Sequence, residues 1–194
     1  MNICVYGASS NEIDKSFIEK TEELGAVMAE RGHGLVFGGG ANGLMGAAAR
    51  GVFSGKGKII GIAPSFFNVD GILFEHCDEF IYPETMRERK RVMEEKSDAF
   101  VITPGGIGTF DEFFEIFTLK QLGRHKKPIA IFNINGYYDS LLKMLSEAVS
   151  KGFMNQKSLD LVPVFENATE MLEYFEGYKQ ADEEPEIFKE IDTK

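Results

Sequence analysis

Cysteine is nearly absent from this sequence of 194 residues: Cys4 and Cys77 are the only two. Two such distant cysteines make neither a disulfide framework nor a CxxC site. Long apolar runs are missing as well. No stretch reaches the ~18 consecutive apolar residues that a membrane span needs. The opening Met1-Asn2-Ile3-Cys4-Val5-Tyr6-Gly7 is too short an apolar run for a secretory signal, lacks its basic lead, and reads as a first strand. These absences predict a cytoplasmic protein with no membrane partner. His33, His76 and His125 are scattered, without the spacing of metal ligands, so no metal is expected. Bases are outnumbered by acids, for a net charge of −10; this argues against nucleic acid, whose phosphates are held by basic patches.

The chain is also without internal repeats, low-complexity segments or Pro/Ser-rich linkers. At 43% hydrophobic it fills one core and is short for two. One domain over residues 1–178 is therefore expected, followed by an acidic tail over 179–194. From Glu170 to Lys194 there are nine acids and three bases, a solvated appendage to which no chemistry is assigned. Against this background Arg87, Arg89, Lys90 and Arg91 stand out as one basic cluster.

Short β-rich runs alternate with helical ones. Strands are expected near 2–6, 34–38, 58–63, 79–82, 98–103, 128–133 and 162–165, and helices near 14–31, 43–54, 86–97, 110–122, 137–151 and 168–177. Ala99-Phe100-Val101-Ile102-Thr103 and Pro128-Ile129-Ala130-Ile131-Phe132 are continuously apolar, as strands covered on both faces must be. The alternation implies right-handed βαβ units and an α/β fold: a single-domain, doubly wound parallel sheet with helices on both faces. Ligands bind such sheets beyond the carboxyl ends of the strands. Three strands end in glycine there, at Gly7, at Gly38-Gly39-Gly40 and at Pro104-Gly105-Gly106, so the three junctions should meet on one edge.

Gly38-Gly39-Gly40-Ala41-Asn42-Gly43 has the letters G-x-G-x-x-G. The acid that would hold an NAD ribose is absent from the next strand tip, which reads Gly61-Ile62-Ala63-Pro64. Tight turn chemistry explains these glycines as well as a ligand does. The loop Pro104-Gly105-Gly106-Ile107-Gly108-Thr109 is more specific. Its glycines let backbone N–H groups converge, the next helix adds free amides and a positive dipole end, and Thr109 adds a hydroxyl. Two such junctions suit a phosphorylated ligand of mononucleotide size.

Glu112 has two readings. Thr109-Phe110-Asp111-Glu112 spells a capping box, in which the glutamate reaches back to the threonine amide. Yet the helix is apolar nearly all round, and Glu112 shares a stripe with Ile116 and Leu119. It is therefore expected to point inward, where a carboxylate needs a partner or a task. The segment Met86-Arg87-Glu88-Arg89-Lys90-Arg91-Val92-Met93 supplies one. At 100° per residue Arg89 and Lys90 flank the line from Met86 to Met93, while Arg87 and Arg91 lie opposite. Basic stems snorkelling past a core edge would give the same pattern.

Taken together, Gly38-Gly39-Gly40-Ala41-Asn42-Gly43-Leu44-Met45-Gly46, Met86-Arg87-Glu88-Arg89-Lys90 and Pro104 to Glu112 resemble the GGGxxGLMG, MxxRK and PGGxGTxxE motifs of the Lonely Guy (LOG) family. Its members are cytokinin riboside 5′-monophosphate phosphoribohydrolases, long mislabelled as lysine decarboxylases. The resemblance runs from Asn2 to about Tyr178. It implies a Rossmann-like homodimer, without cofactor, that hydrolyses the N-glycosidic bond of adenine-type nucleoside 5′-monophosphates to free base and ribose 5-phosphate. It also implies catalytic roles for Arg89 and Glu112, and nucleotide binding by Lys90 and the loop of Gly105, Gly106, Gly108 and Thr109. Gly39, Gly40, Met86 and Ser9 complete the expected substrate site. Many members carry a Gly-Glu pair that helps bind substrate; counting back from Arg89, that place here holds Asp70-Gly71.

Two other functions compete. A non-catalytic nucleotide-sensing module would keep the loops and have no need of Glu112. An amino-acid decarboxylase would need a lysine Schiff base to pyridoxal phosphate, and no lysine here sits in a recognisable cofactor motif.

Overall fold

A computed structural model describes residues 1–67 and 71–179; Asp70 and all of the expected tail except Lys179 lie outside the described residues. Seven strands, β1 (Asn2–Tyr6), β2 (Gly34–Phe37), β3 (Ile59–Ile62), β4 (Glu79–Ile81), β5 (Ala99–Ile102), β6 (Ile129–Phe132) and β7 (Val164–Phe165), form one sheet in the order β4-β3-β2-β1-β5-β6-β7. Every pairing is parallel. The helices are α1 (Lys15–Glu30), α2 (Gly43–Ser54), α3 (Met86–Lys96), α4 (Ile107–Gln121), α5 (Asp139–Ser150), α6 (Gln156–Leu159) and α7 (Ala168–Gly177).

The period-2 geometry of a strand sends alternate side chains to opposite faces, and here both faces are dry. Ile3, Val5, Ala99, Val101, Ala130 and Phe132 enter one core with α1, α2 and α7. Cys4, Tyr6, Phe100, Ile102, Ile129 and Ile131 enter the other, against α3, α4 and the flank of α5. This double cover is why the central strands are apolar without alternation. The expected doubly wound parallel sheet is the observed one. No helix among the described residues is long and apolar enough to cross a membrane.

The strand order reverses direction between β1 and β5, and that reversal opens a crevice at their carboxyl ends. The β2 junction lies beside β1, so the three glycine-ended strands do converge. Most element boundaries fall within a few residues of expectation. Three short elements, α6 and single turns of 3-10 helix at Ser65–Phe67 and Ile134–Gly136, were not expected. The difference that matters is at α4, which begins at Ile107 with Gly106 in extended conformation as its N-cap. Thr109 is then the third helical residue, so it cannot cap, and no side chain caps this end. The capping box does not form.

Candidate active site

A cavity of about 460 Å³ opens at the β1/β5 crevice. Its walls come from each of the glycine junctions, from the first turns of α3 and α4, and from Ile72 and Leu73 on the connection between β3 and β4. Two backbone hydrogen bonds tie that connection to the β2 loop. Ala41 N–H donates to the Ile72 carbonyl and Phe74 N–H to the Gly39 carbonyl, each at 2.8 Å, forming an antiparallel bridge between Gly40 and Leu73.

Arg89 and Glu112 meet inside. Arg89 Nη1 donates to Glu112 Oε1 at 2.6 Å, and Arg89 Nε donates to the Ile62 carbonyl at the end of β3 at 3.0 Å. The two side chains are 8% and 11% exposed. Burial raises the Glu112 pKa above its ordinary 4.5; the Arg89 charge and hydrogen bond oppose the shift without cancelling it. Gly38 makes room for the arginine, since a Cβ at that position would overlap Arg89 Nη2. Below, on β1, Cys4 and Tyr6 are fully buried. Burial pushes the Cys4 thiol up to about 12 and the Tyr6 phenol well above its usual range. Both are neutral near pH 7, so the pair holds the charged chemistry of the pocket floor.

The two glycine-rich helix starts differ in what they leave free. At α2, Gly43 N–H donates to Asn11 Oδ1, and Leu44 and Met45 N–H groups donate to the Ala8 carbonyl. That end is saturated from within. At α4 the first intrahelical bond runs from Phe110 N–H to the Gly106 carbonyl. Among the described residues, the amides of Ile107, Gly108 and Thr109 have no acceptor. Three free N–H groups at the positive end of a fifteen-residue helix form an anion site. The expectation of two phosphate-cradling junctions thus reduces to one. The loop is rigidly pinned: Tyr137 and Tyr138 hydroxyls donate to the Gly105 and Thr103 carbonyls at 2.7 Å, and Ala8 N–H donates to the Pro104 carbonyl. Neither tyrosine was singled out from the sequence, because nothing local marks a contact across 32 or 35 residues.

Of the expected site residues, Ser9, Gly40, Met86, Arg89, Gly106, Gly108, Thr109 and Glu112 line the cavity. Gly39, Gly105 and Lys90 do not. Gly39 adopts a positive φ of 78° and spends its carbonyl on Phe74. Gly105 leaves space for the Thr109 side chain, which any Cβ there would strike. Lys90 points to the seam between α3 and α4, where it pairs with Asp111 and Glu115. Asp111, Asn42 and Met45 line the wall without having been proposed. The three histidines are dispersed: His33 pairs with Glu176, His76 stacks on Phe53, and His125 bonds to the Ile116 carbonyl.

A parallel α/β sheet whose switch-point cavity joins a bare helix N-terminus to a buried Arg–Glu pair defines a Rossmann-like protein with a candidate ligand site. A family model described as "Possible lysine decarboxylase" matches residues 45–175. A cytokinin riboside 5′-monophosphate phosphoribohydrolase of Arabidopsis thaliana is 37% identical over 176 residues, 91% of this chain and 83% of that protein. A second Arabidopsis thaliana protein of that name is 37% identical over 99% of this chain and 86% of its own length. The rice (Oryza sativa subsp. japonica) protein named LOG is 37% identical over 91% and 73%. The chain belongs to the Lonely Guy family. Among solved structures, the molybdenum cofactor binding protein of Rippkaea orientalis superimposes with a TM-score of 0.69 at 22% identity, over 90% of this chain and 94% of that one. A molybdenum cofactor carrier protein of Chlamydomonas reinhardtii gives 0.68 at 22%, over the same shares. At that identity the likeness is one of fold.

Proposed function

We propose that this protein is a hydrolase that cleaves the N-glycosidic bond of adenine-type nucleoside 5′-monophosphates, AMP or N6-substituted cytokinin ribotides, to free base and ribose 5-phosphate. The observation that carries the reading is the desolvated Arg89–Glu112 pair in one cavity with the uncapped start of α4. The relatives named above lend the reaction class. The 5′-phosphate sits on the Ile107, Gly108 and Thr109 amides, and the base lies against the apolar wall of Met45, Leu73 and Met86. The anomeric carbon then falls between them, within reach of Glu112.

Cleavage breaks the bond from the anomeric carbon to the base nitrogen and passes through an oxocarbenium-like state. The Glu112 carboxylate stabilises that cation and takes a proton from the attacking water. The water oxygen bonds to the anomeric carbon as the bond to the base nitrogen breaks. The bonding pair leaves with the base, which takes a proton from solvent, while Glu112 returns the proton it took from the water to solvent. Arg89 fixes the carboxylate through Nη1 and is itself fixed through Nε, and its positive charge favours the growing negative charge on the base. A purely nucleotide-binding module would gain nothing from a carboxylate held against its own desolvation cost. The protein acts in the cytoplasm on a small-molecule substrate, as a homodimer and without cofactor. Incubation with AMP tests the reading: release of adenine is expected, and intact AMP together with intact N6-substituted AMP would overturn it.

A further inference from the structure

The α4 start carries an electrostatic contradiction. A phosphate brings up to two negative charges to a rim where Asp111 already lines the cavity, with Glu112 beside it and Glu115 one turn further. Arg89 answers only Glu112. The remaining acids are answered by Lys90, whose Nζ donates to Asp111 Oδ1 and Oδ2 at 3.2 and 3.0 Å and also to Glu115. The Lys90 side chain is only 14% exposed while that of Asp111 is 60% exposed. The lysine is therefore anchored in the seam and the aspartate is the partner drawn toward it. Burial alone would lower the Lys90 pKa, but the bonds to Glu115 and Asp111 outweigh it and the net shift is upward, so the ammonium is charged across the neutral range.

We propose that Lys90 is a positioning residue for this site, which holds the Asp111 carboxylate on the α3–α4 seam and cancels its charge, so that the neighbouring amides of α4 accept a phosphate dianion. The proposal rests on the nucleotide reading above and departs from the role that the family resemblance implies, in which the lysine itself meets the nucleotide. Two opposite charges near a partly desolvated rim act on a bound anion more strongly than exposed surface charges do.

A double substitution separates the two roles. Ribose 5-phosphate affinity is measured by calorimetry for the full chain, for Lys90→Met, for Lys90→Arg and for Lys90→Met with Asp111→Asn, alongside kcat and KM for AMP. Lys90→Met should weaken ribose 5-phosphate at least about tenfold and act on KM more than on kcat. The double variant should return to within about threefold of wild type, and Lys90→Arg should stay there throughout. A double variant no better than Lys90→Met would mean that the lysine touches the anion directly and would overturn the proposal. So would a Lys90→Met protein that binds as wild type does. If Lys90→Met fails to fold, Asp111→Asn alone must tighten ribose 5-phosphate, and unchanged or weaker binding defeats the idea. A wild-type protein that binds ribose 5-phosphate but cleaves no nucleotide sinks the hydrolase reading and leaves this comparison intact; one that binds none sinks both.

Discussion

In the proposed reaction Glu112 is the residue on which the chemistry turns, and its energetics have a definite sign. A carboxyl whose pKa is raised on folding adds stability below its unfolded value near 4.5, and loses that contribution as pH rises through the folded value. At neutral pH the ionised Glu112 is thus a net burden on the fold. Glu112→Gln keeps an oxygen for Arg89 Nη1 and removes the charge. Its unfolding free energy at pH 7 should lie within about 1 kcal/mol of wild type or above it, while turnover of AMP falls at least ~100-fold. In the wild type, the acidic limb of kcat/KM should titrate above 4.5, the ordinary glutamate value. A variant with near-normal turnover would remove Glu112 from the reaction. Gly38 offers a second residue-scale test, because a Cβ there would meet Arg89 Nη2 first and the Met45 sulfur only at 3.0 Å. Gly38→Ala should retain the circular dichroism of the fold and lose at least about tenfold in kcat, whereas Arg87→Ala, on the exposed face of α3, should be close to neutral. Equal losses from both would mean that the arginine position does not matter.

At the scale of elements, the proposed reading makes α4 the part that selects the ligand. Its uncapped amides prefer an anion, so AMP should be cleaved while adenosine is cleaved at least ~100-fold more slowly in kcat/KM; equal values would remove phosphate anchoring from the mechanism. This element was only half legible in the sequence. The glycines, the apolar stripe and the inward Glu112 could be read from periodicity, and so could the inward turn of Arg89 on α3. The start of α4 could not. Thr109 has the chemistry of an N-cap, but Gly106 needs no side chain to play that part, and which of the two wins depends on where Pro104 and the two tyrosines of the following crossover fix the strand end. The partners of Lys90 could not be read for a related reason. Its helical phase was read correctly as neighbouring the apolar line, but phase fixes a direction around an axis and says nothing of which partner waits there. Saturation of the α2 start was invisible too, since Asn11 and Ala8 come from a different loop.

For the molecule as a whole, the sheet was the most legible feature, because continuous apolar strands flanked by amphipathic helices admit few arrangements. What the monomer leaves over is an apolar hollow on the outer side of α4, between Ile107, Phe110, Phe114 and Leu119, with Ile107 82% exposed. A face of this kind is covered when two copies meet. Light scattering should give about twice the monomer mass of 21.6 kDa at micromolar concentration; a single species at the monomer mass would refute the dimer. The connection between β3 and β4 has a consequence of another sort. Its two hydrogen bonds to the β2 loop join main-chain groups, so Ile72 and Leu73 can be exchanged without removing either bond. The acid, the arginine and the free amides stand instead on α3 and α4. In the proposed reaction the residues that break the bond are thus separable from this wall, and exchanging Ile72 or Leu73 is expected to change which base is accepted before it changes the chemistry.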